Sequence, residues 1–168
     1  MKAQISFVEY LVAFVIFVSF VGYFSFQLVR LIPEYLNQIR MQRIKSEAYQ
    51  ISELLMNDPG YPINWNVGNV QRLGLSDETK NLTNFLSLNK INAIGDGINL
   101  CKPGYENVKK WVGSDYDFSI IFIRKSPAPE LTLIGCRPSV TAVKAINVTI
   151  RRIAFFGSGY GELIVQMW

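Results

Sequence analysis

The N-terminal part of the chain carries an uncharged, predominantly apolar run from Tyr10 to Val29, with one acidic residue, Glu9, at its head. About twenty apolar residues suffice for a helix to cross a hydrocarbon core about 30 Å thick. A secretory signal peptide usually has a shorter apolar region followed by small residues at a cleavage site, and no such site follows Val29. The pattern therefore predicts a transmembrane helix over residues 5–31.

Large apolar side chains recur along this segment at alternating spacings of three and four residues. The positions are Phe7, Tyr10, Phe14, Phe17, Val21, Phe24, Leu28 and Leu31. This spacing places them on one continuous helical stripe. The opposite face is also apolar, so the stripe suits contact with lipid and contact with another helix equally.

Beyond the span, residues 32–57 predict an amphipathic extension of the same helix. Its apolar positions near helical spacing are Ile32, Leu36, Ile39, Ile44, Ala48, Ile51 and Leu55. Pro33 predicts either a kink or a break into two helices, and Asp58-Pro59-Gly60 predicts the helix end. We expect residues 34–57 to lay their apolar face on the C-terminal module.

Residues 58–115 form a connector rich in Asn and Gly, with short helices expected at Leu88–Ile94 and Pro103–Val112. Two glycosylation sequons begin at Asn81 and Asn147, and they matter only if this part of the chain is extracellular. Asn81 is the better candidate, because it is expected in a polar loop and Asn147 in a strand.

Residues 116–168 predict an antiparallel sheet of about four strands, arranged as a meander. The expected strands are Phe118–Lys125, Leu131–Cys136, Val140–Phe156 and Glu162–Trp168. The glycine-rich residues 157–161 lack the following helix and the Lys of a phosphate loop, so they predict a hairpin turn. The fold class is therefore α+β, with a long N-terminal helix packed on the C-terminal sheet.

Composition agrees with one membrane span and one folded module, since 49% of the 168 residues are hydrophobic and only 18% are charged. The net charge is +4, but the basic residues are scattered, so no nucleic acid is expected. A solvated face or contact with lipid headgroups is the better use of these cations. Counted by the positive-inside rule alone, Arg30, Arg40, Arg43 and Lys45 outweigh Lys2 and would place the C-terminal module in the cytoplasm.

Little in the sequence supports catalysis. The chain has no His, no Cys-x-x-Cys, no phosphate loop and no nucleophile elbow. Acidic residues such as Asp115 and Asp117 stand at a turn into a strand, where solvated or capping roles are the default. We expect a protein that is not an enzyme and that uses no cofactor or metal.

Two cysteines, Cys101 and Cys136, permit one disulfide between the connector and the sheet. A pair of buried thiols is the alternative. An extracellular module favours the disulfide and a cytoplasmic one favours the thiols.

Glu9 has an unusual position, because a carboxylate in the middle of a bilayer is penalised by about 2.5–3.5 kcal/mol on insertion scales and usually has a partner. Such a carboxylate calls for a cation. The alternative is that Glu9 lies near the headgroups, where the positive end of the helix dipole helps it and no partner is needed.

Residues 2–9 read Lys-Ala-Gln-Ile-Ser-Phe-Val-Glu and lead into the apolar helix. This arrangement resembles the N-terminus of archaeal type IV pilin-like proteins with a class III signal peptide. In that family a short basic leader is removed beside a Gln, and a Glu stands at about the fifth mature position. The family pattern is Gln-x-Ser-x-Glu, whereas Gln4, Ser6 and Glu9 contain one extra residue.

The resemblance extends beyond the membrane. The segment from Glu53 to Trp65, with its Leu-Leu, Pro-Gly and Trp elements, and the following Leu73-Gly74-Leu75 resemble the segment after the long helix in the same group. Tyr116-Asp117-Phe118 and the closing Val165–Trp168 are similar too. The likeness covers the whole chain loosely, and its specific parts are residues 2–11 and 53–75.

The resemblance implies a short basic leader over residues 1–4, processed within Lys2, Ala3, Gln4 and Ile5. Cleavage after Ala3 makes Glu9 the sixth mature residue, cleavage after Gln4 makes it the fifth, and a retained leader is the third alternative. In a processed subunit, Glu9 would face the freed α-amino group of a neighbouring subunit and set the register between them.

The implied function is a pilin-like structural subunit, minor pilin or assembly component of an archaeal type IV pilus-like surface filament. The implied partners are membrane lipid, a prepilin peptidase, the pilus assembly machinery and other pilin-like subunits, and the C-terminal module is extracellular. A different class remains open: a permanently anchored single-pass membrane protein whose external domain binds a ligand or a protein.

Overall fold

The computed structural model describes residues 2–80, 82–95, 101, 104–139 and 147–168, with side chains from Phe7 onward. Its elements are α1 (Lys2–Asn57), a single 3-10 turn (Glu78–Lys80), β1 (Phe85–Leu86), α2 (Leu88–Ile94), α3 (Tyr105–Val112), β2 (Phe118–Ser126), β3 (Leu131–Cys136), β4 (Val148–Phe156) and β5 (Gly159–Met167). The chain divides into two compact units, one up to Gln42 and one from Arg43 to Trp168.

The first unit is the N-terminal part of α1. The helix continues through Pro33 without interruption. The alternative prediction, a break into two helices at Pro33, is therefore wrong. Proline has no N–H to donate to the preceding turn, but the bonds on either side keep the helix together. All large apolar side chains described from Phe7 to Met41 are exposed.

The second unit begins with the last turns of α1, which supply one wall of its core. Ile44, Ala48, Ile51 and Leu55 follow the spacing of one helix face, and none is more than 4% exposed. Burial contributes about 1.5–3 kcal/mol for each large aliphatic side chain. The buried face of α1 begins at Ile44 and not near residue 34 as predicted, since Leu36 and Ile39 are exposed.

The inner face of the sheet supplies the opposite wall of the core. Its buried side chains include Phe118, Ile120, Phe122, Ile134, Ala154, Phe156, Leu163, Val165 and Met167. Along β4 they alternate with more exposed positions on the other face, as expected for a sheet with one buried face. On β2 and β5 the other face is partly buried too, at Ser119 and Ile164. The predicted α+β class, with a helix on a C-terminal sheet, is confirmed.

The strand order is β1-β4-β5-β2-β3, so the predicted meander is wrong. The strand β5 lies between β4 and β2 and is antiparallel to both. The strand β1 was not predicted, and it pairs in parallel with the end of β4. Apolar periodicity identifies a strand but carries no information about which strand lies beside it.

The predicted strand boundaries hold at β3 and shift elsewhere. The strand β5 begins at Gly159, because the hairpin turn contains only Gly157 and Ser158. Gly161 lies inside β5, where a Cβ would stand 2.6 Å from the Ile123 carbonyl oxygen. That strand therefore requires a glycine that looked like part of a turn.

Both short helices of the connector are present. The helix α2 has the predicted bounds. The helix α3 ends at Val112 and is followed by Gly113, whose φ of 74° is left-handed. The predicted start of α3 at Pro103 and the first part of the strand predicted from Val140 lie outside the described residues.

Candidate functional site

The N-terminal helix is the first candidate for a functional surface. Its most apolar 18-residue window has a mean hydropathy of 2.1, and none of that window is buried in the protein. Within the described residues, one helix is therefore long and apolar enough to span a membrane.

Glu9 lies at the start of this exposed apolar surface. Helical spacing puts it on the same face as Val12, Ala13 and Ile16, beside the aromatic stripe. Among the side chains described, which begin at Phe7, no cation forms an ion pair with Glu9. The backbone of Lys2, Ala3, Gln4 and Ile5 is helical, and their side chains lie outside the description.

A compact cluster closes the C-terminal end of α1, where the last carbonyl groups of a helix lack helical partners and carry partial negative charge. The Asp58 N–H donates to the Leu54 carbonyl at 3.1 Å, and the Leu75 N–H donates to the Leu55 carbonyl at 3.0 Å. The Asp58 carboxylate accepts from the Gly60 N–H at 2.6 Å and pairs with Arg72 at 2.9 Å.

The Pro59 carbonyl oxygen is the centre of this cluster. It accepts hydrogen bonds from Trp65 Nε1 at 3.0 Å and from Lys90 Nζ at 2.7 Å. Trp65 Nε1 also donates to the Gly74 carbonyl at 2.9 Å, and Lys90 Nζ donates to the Ser76 carbonyl at 3.0 Å. The Pro-Gly and Trp elements of the sequence thus have a structural role at the helix end.

Lys90 is the member of the cluster that sequence analysis missed. It lies on α2 and is only 9% exposed. Burial lowers the pKa of its ammonium, while the negative charges of Glu78, Asp77 and Asp58 act in the opposite direction. The only sequence feature that could have indicated its burial is its helical spacing with the apolar residues Ile91 and Ile94 on the same face of α2.

An open groove of about 980 Å³ in the second unit is a candidate binding site. It runs between the end of α1, residues 76–78 and 82–84, and the strand β4. Its lining comprises Glu53, Met56, Asn57, Pro59, Ser76, Asp77, Glu78, Leu82, Thr83, Asn84, Arg151, Arg152 and Ile153.

An ion pair between Glu53 and Arg152 joins α1 to β4 beside this groove, at 2.5 Å. The guanidinium of Arg152 also lies 4.9 Å from the ring centre of Tyr49. The hydrogen bond from Arg152 is the main reason why the pKa of Glu53 is lowered, and the same bond raises the pKa of Arg152. The two charges neutralise each other at neutral pH.

A second polar cluster holds the start of β2. The Tyr105 hydroxyl accepts the Phe118 N–H at 3.0 Å, and Lys109 pairs with Asp117 at 2.8 Å. Burial raises the pKa of Tyr105 to about 12. Asp117 was expected to be solvated or to cap a turn, and it forms an ion pair instead.

Cys101 and Cys136 form a disulfide, with their Cα atoms 4.5 Å apart. The bridge attaches the connector to the end of β3. Of the two sequons, Asn81 lies outside the described residues, and Asn147 is exposed immediately before β4 rather than inside the strand.

No group of three or more His, Cys, Asp or Glu side chains suited to a metal ion occurs in the part of the chain that the structure describes. Comparisons with protein-family models, with curated proteins and with solved structures give no match for this chain.

Proposed function

We propose that this chain is a membrane-inserted structural subunit, minor pilin or assembly component of an archaeal type IV pilus-like surface filament. The observation that carries the proposal is the exposed apolar face of α1 from Phe7 onward, with one carboxylate, Glu9, at its head. Water is a poor solvent for such a surface, so lipid or other helices must cover it.

The length of the exposed surface favours helix partners in addition to lipid. From Phe7 to Ile39 a helix extends about 50 Å at 1.5 Å per residue, whereas a hydrocarbon core is about 30 Å thick. Leu31, Tyr35 and Ile39 continue the apolar surface beyond that thickness, and all three are exposed. Neighbouring subunits in a helical bundle would cover the remainder.

Glu9 supports assembly for an electrostatic reason. An ionised carboxylate among apolar side chains is stabilised by a cation that enters the same environment. The α-amino group of a processed neighbouring chain is such a cation, and its pairing with Glu9 would fix the axial register between adjacent helices. The disulfide supports an oxidising location for the second unit, as expected outside the cell.

The second candidate function is a permanently anchored membrane protein whose external domain binds a partner. The open groove beside β4 is the observation that favours it. In this case Glu9 has no register contact to make.

The substitution Glu9→Gln separates the two functions, with Glu34→Gln as the matched control on the same helix. We expect Glu9→Gln to deplete the chain from the sheared surface-filament fraction while its amount in the membrane stays unchanged, because only assembly needs the charge. Glu34→Gln should assemble like the wild type. Normal assembly of Glu9→Gln would contradict the proposal and favour the anchored binding protein.

A further inference from the structure

The two edges of the sheet differ in how they are covered. At the β3 edge, the backbone of Gly95 lies so close to the Leu133 carbonyl that a Cβ would collide with it. At the β4 edge, β1 pairs only with Phe155 and Phe156. Within the described ranges, no backbone group pairs with Val148–Ala154 on the side away from β5.

The direction of each backbone N–H and C=O group in β4 follows from the hydrogen bond that Phe155 makes near the end of the strand. The Phe155 N–H donates to the Asn84 carbonyl at 2.8 Å, so it points away from β5. Backbone direction alternates along a strand, and the N–H and C=O of Thr149, Arg151 and Ile153 therefore point the same way. Those of Ile150, Arg152 and Ala154 point to β5.

The groove lies along this open edge, since Arg151, Arg152 and Ile153 form one of its walls. The apolar side chains of Met56 and Leu82 also line the groove. The open edge and the groove together have the form of a site for one additional strand.

Charge decides which side chains such a strand can carry on each face. On the outer face the Arg151 side chain is 65% exposed despite its 3.3 Å ion pair with Glu162, so its guanidinium can still accept a carboxylate from an added strand. On the inner face Arg152 is paired with Glu53, and the carboxylates of Asp77 and Glu78 also line the groove. A carboxylate on the groove-facing side of the strand is therefore disfavoured, and uncharged side chains fit there.

The same charges disfavour a second copy of this edge as the occupant. Antiparallel pairing of two β4 strands centred on Arg151 would place the Arg151 side chains of both copies side by side, and like charges on adjacent edges oppose such pairing.

We propose that the open edge of β4 binds an extended peptide segment of a partner protein as an added strand, with a carboxylate beside Arg151 and uncharged side chains in the groove. The backbone groups of Thr149, Arg151 and Ile153 bond to the peptide. This site does not depend on filament assembly, because none of its residues lies in the first unit.

The test uses the full chain in detergent micelles and the peptide acetyl-Thr-Thr-Val-Glu-Val-Thr-Thr-amide, with amide hydrogen exchange read at single residues. At a free peptide concentration of ten times Kd, exchange at Thr149, Arg151 and Ile153 should slow about tenfold. Exchange at Ile150 and Arg152 should not change, because their N–H groups already bond to β5.

Two control peptides distinguish strand addition from non-specific binding. A peptide with Pro in place of the central Glu should give no protection, because Pro has no N–H and does not fit an added strand. A peptide with Lys in that place should bind about fivefold more weakly, since attraction to Arg151 becomes repulsion.

Two variants of the protein complete the test. Arg151→Glu should reverse the order of the Glu and Lys peptides, which a merely structural role of Arg151 would not do. Arg151→Pro removes an outward N–H without removing a bond to β5 and should abolish protection. If Arg151→Pro fails to fold, the binding of the Glu and Lys peptides to Arg151→Glu still tests the proposal.

Three results would overturn the proposal. The first is protection of the outward N–H groups in the absence of peptide, which would mean that another part of the chain covers the edge. The second is no protection at millimolar peptide. The third is equal binding of the Glu and Lys peptides by both the wild type and Arg151→Glu.

Discussion

The Nζ atom of Lys90 lies 2.7 Å from the carbonyl oxygen of Pro59, across thirty-one positions of sequence. The contact places a buried ammonium at the C-terminal end of α1, where it meets the negative end of the helix dipole. It fixes the end of the helix to α2 and so to the remainder of the second unit.

Lys90→Met should therefore lower the free energy of unfolding of the second unit by about 2–3 kcal/mol, because the hydrogen bonds from a charged group to the carbonyls of Pro59 and Ser76 are lost. Urea unfolding in detergent micelles, followed by tryptophan fluorescence, measures the change. Lys80→Met is the matched control, since Lys80 is exposed and should change stability by less than about 0.5 kcal/mol. Equal effects of the two variants would show that Lys90 does not hold the helix end.

The alkaline limit of stability should depend on Tyr105. Its pKa is raised from 10.0 to about 12 in the folded protein, so the folded state retains a proton that the unfolded chain releases. The resulting stability is complete below about pH 10 and is lost as the pH rises to about 12, in total about 2–3 kcal/mol. Urea unfolding at about pH 9 and about pH 11 should show about half of this loss in the wild type, because pH 11 lies midway between the two pKa values.

Tyr105→Phe should remove that part of the pH dependence and cost about 1 kcal/mol at neutral pH, because the Phe118 N–H loses its acceptor. Tyr160→Phe, at an exposed position, should leave the wild-type profile intact. The interpretation fails if the Tyr105→Phe profile keeps the full alkaline loss.

The disulfide should contribute strongly to the stability of the second unit, because it closes a loop with a sequence separation of 35. Replacing both Cys101 and Cys136 by Ala should lower the free energy of unfolding by about 3–4 kcal/mol on a chain-entropy model. The unreduced wild type should not react with a thiol reagent in denaturant. Two reactive thiols in the protein from its native membrane would contradict the bridge.

Elements that depend on local sequence were predicted well. The helix end at Asp58-Pro59-Gly60 follows from backbone restrictions of Pro and Gly, and the bounds of α2 follow from Ser87 and the apolar spacing behind it. The end of α3 follows from Gly113 in a left-handed conformation. In each case the deciding interactions lie within a few residues of each other.

Features that depend on distant residues were not predictable from the pattern. The strand order needs the pairing of β5 with β2, which no periodicity encodes. Lys90 resembles any helical lysine until the fold places Pro59 beside it. Gly161 resembles a turn residue until the approach of the β2 backbone shows why it belongs to a strand.

The proposed register contact of Glu9 depends on neither local nor distant residues of the same chain. Glu9 was identified from its isolation in an apolar run, and its proposed partner is the N-terminus of another chain. Neither the sequence nor the fold of a single chain contains that partner, so the proposal depends on how the N-terminus is processed.

Intact and N-terminal peptide mass spectrometry of the chain from its native membranes shows whether the chain is a processed subunit. We expect a mature N-terminus at Gln4 or Ile5, which would free an α-amino group beside the apolar helix and fix the position of Glu9 as sixth or fifth residue. An intact terminus at Met1 or Lys2 would contradict the processed-subunit proposal and favour a permanent membrane anchor.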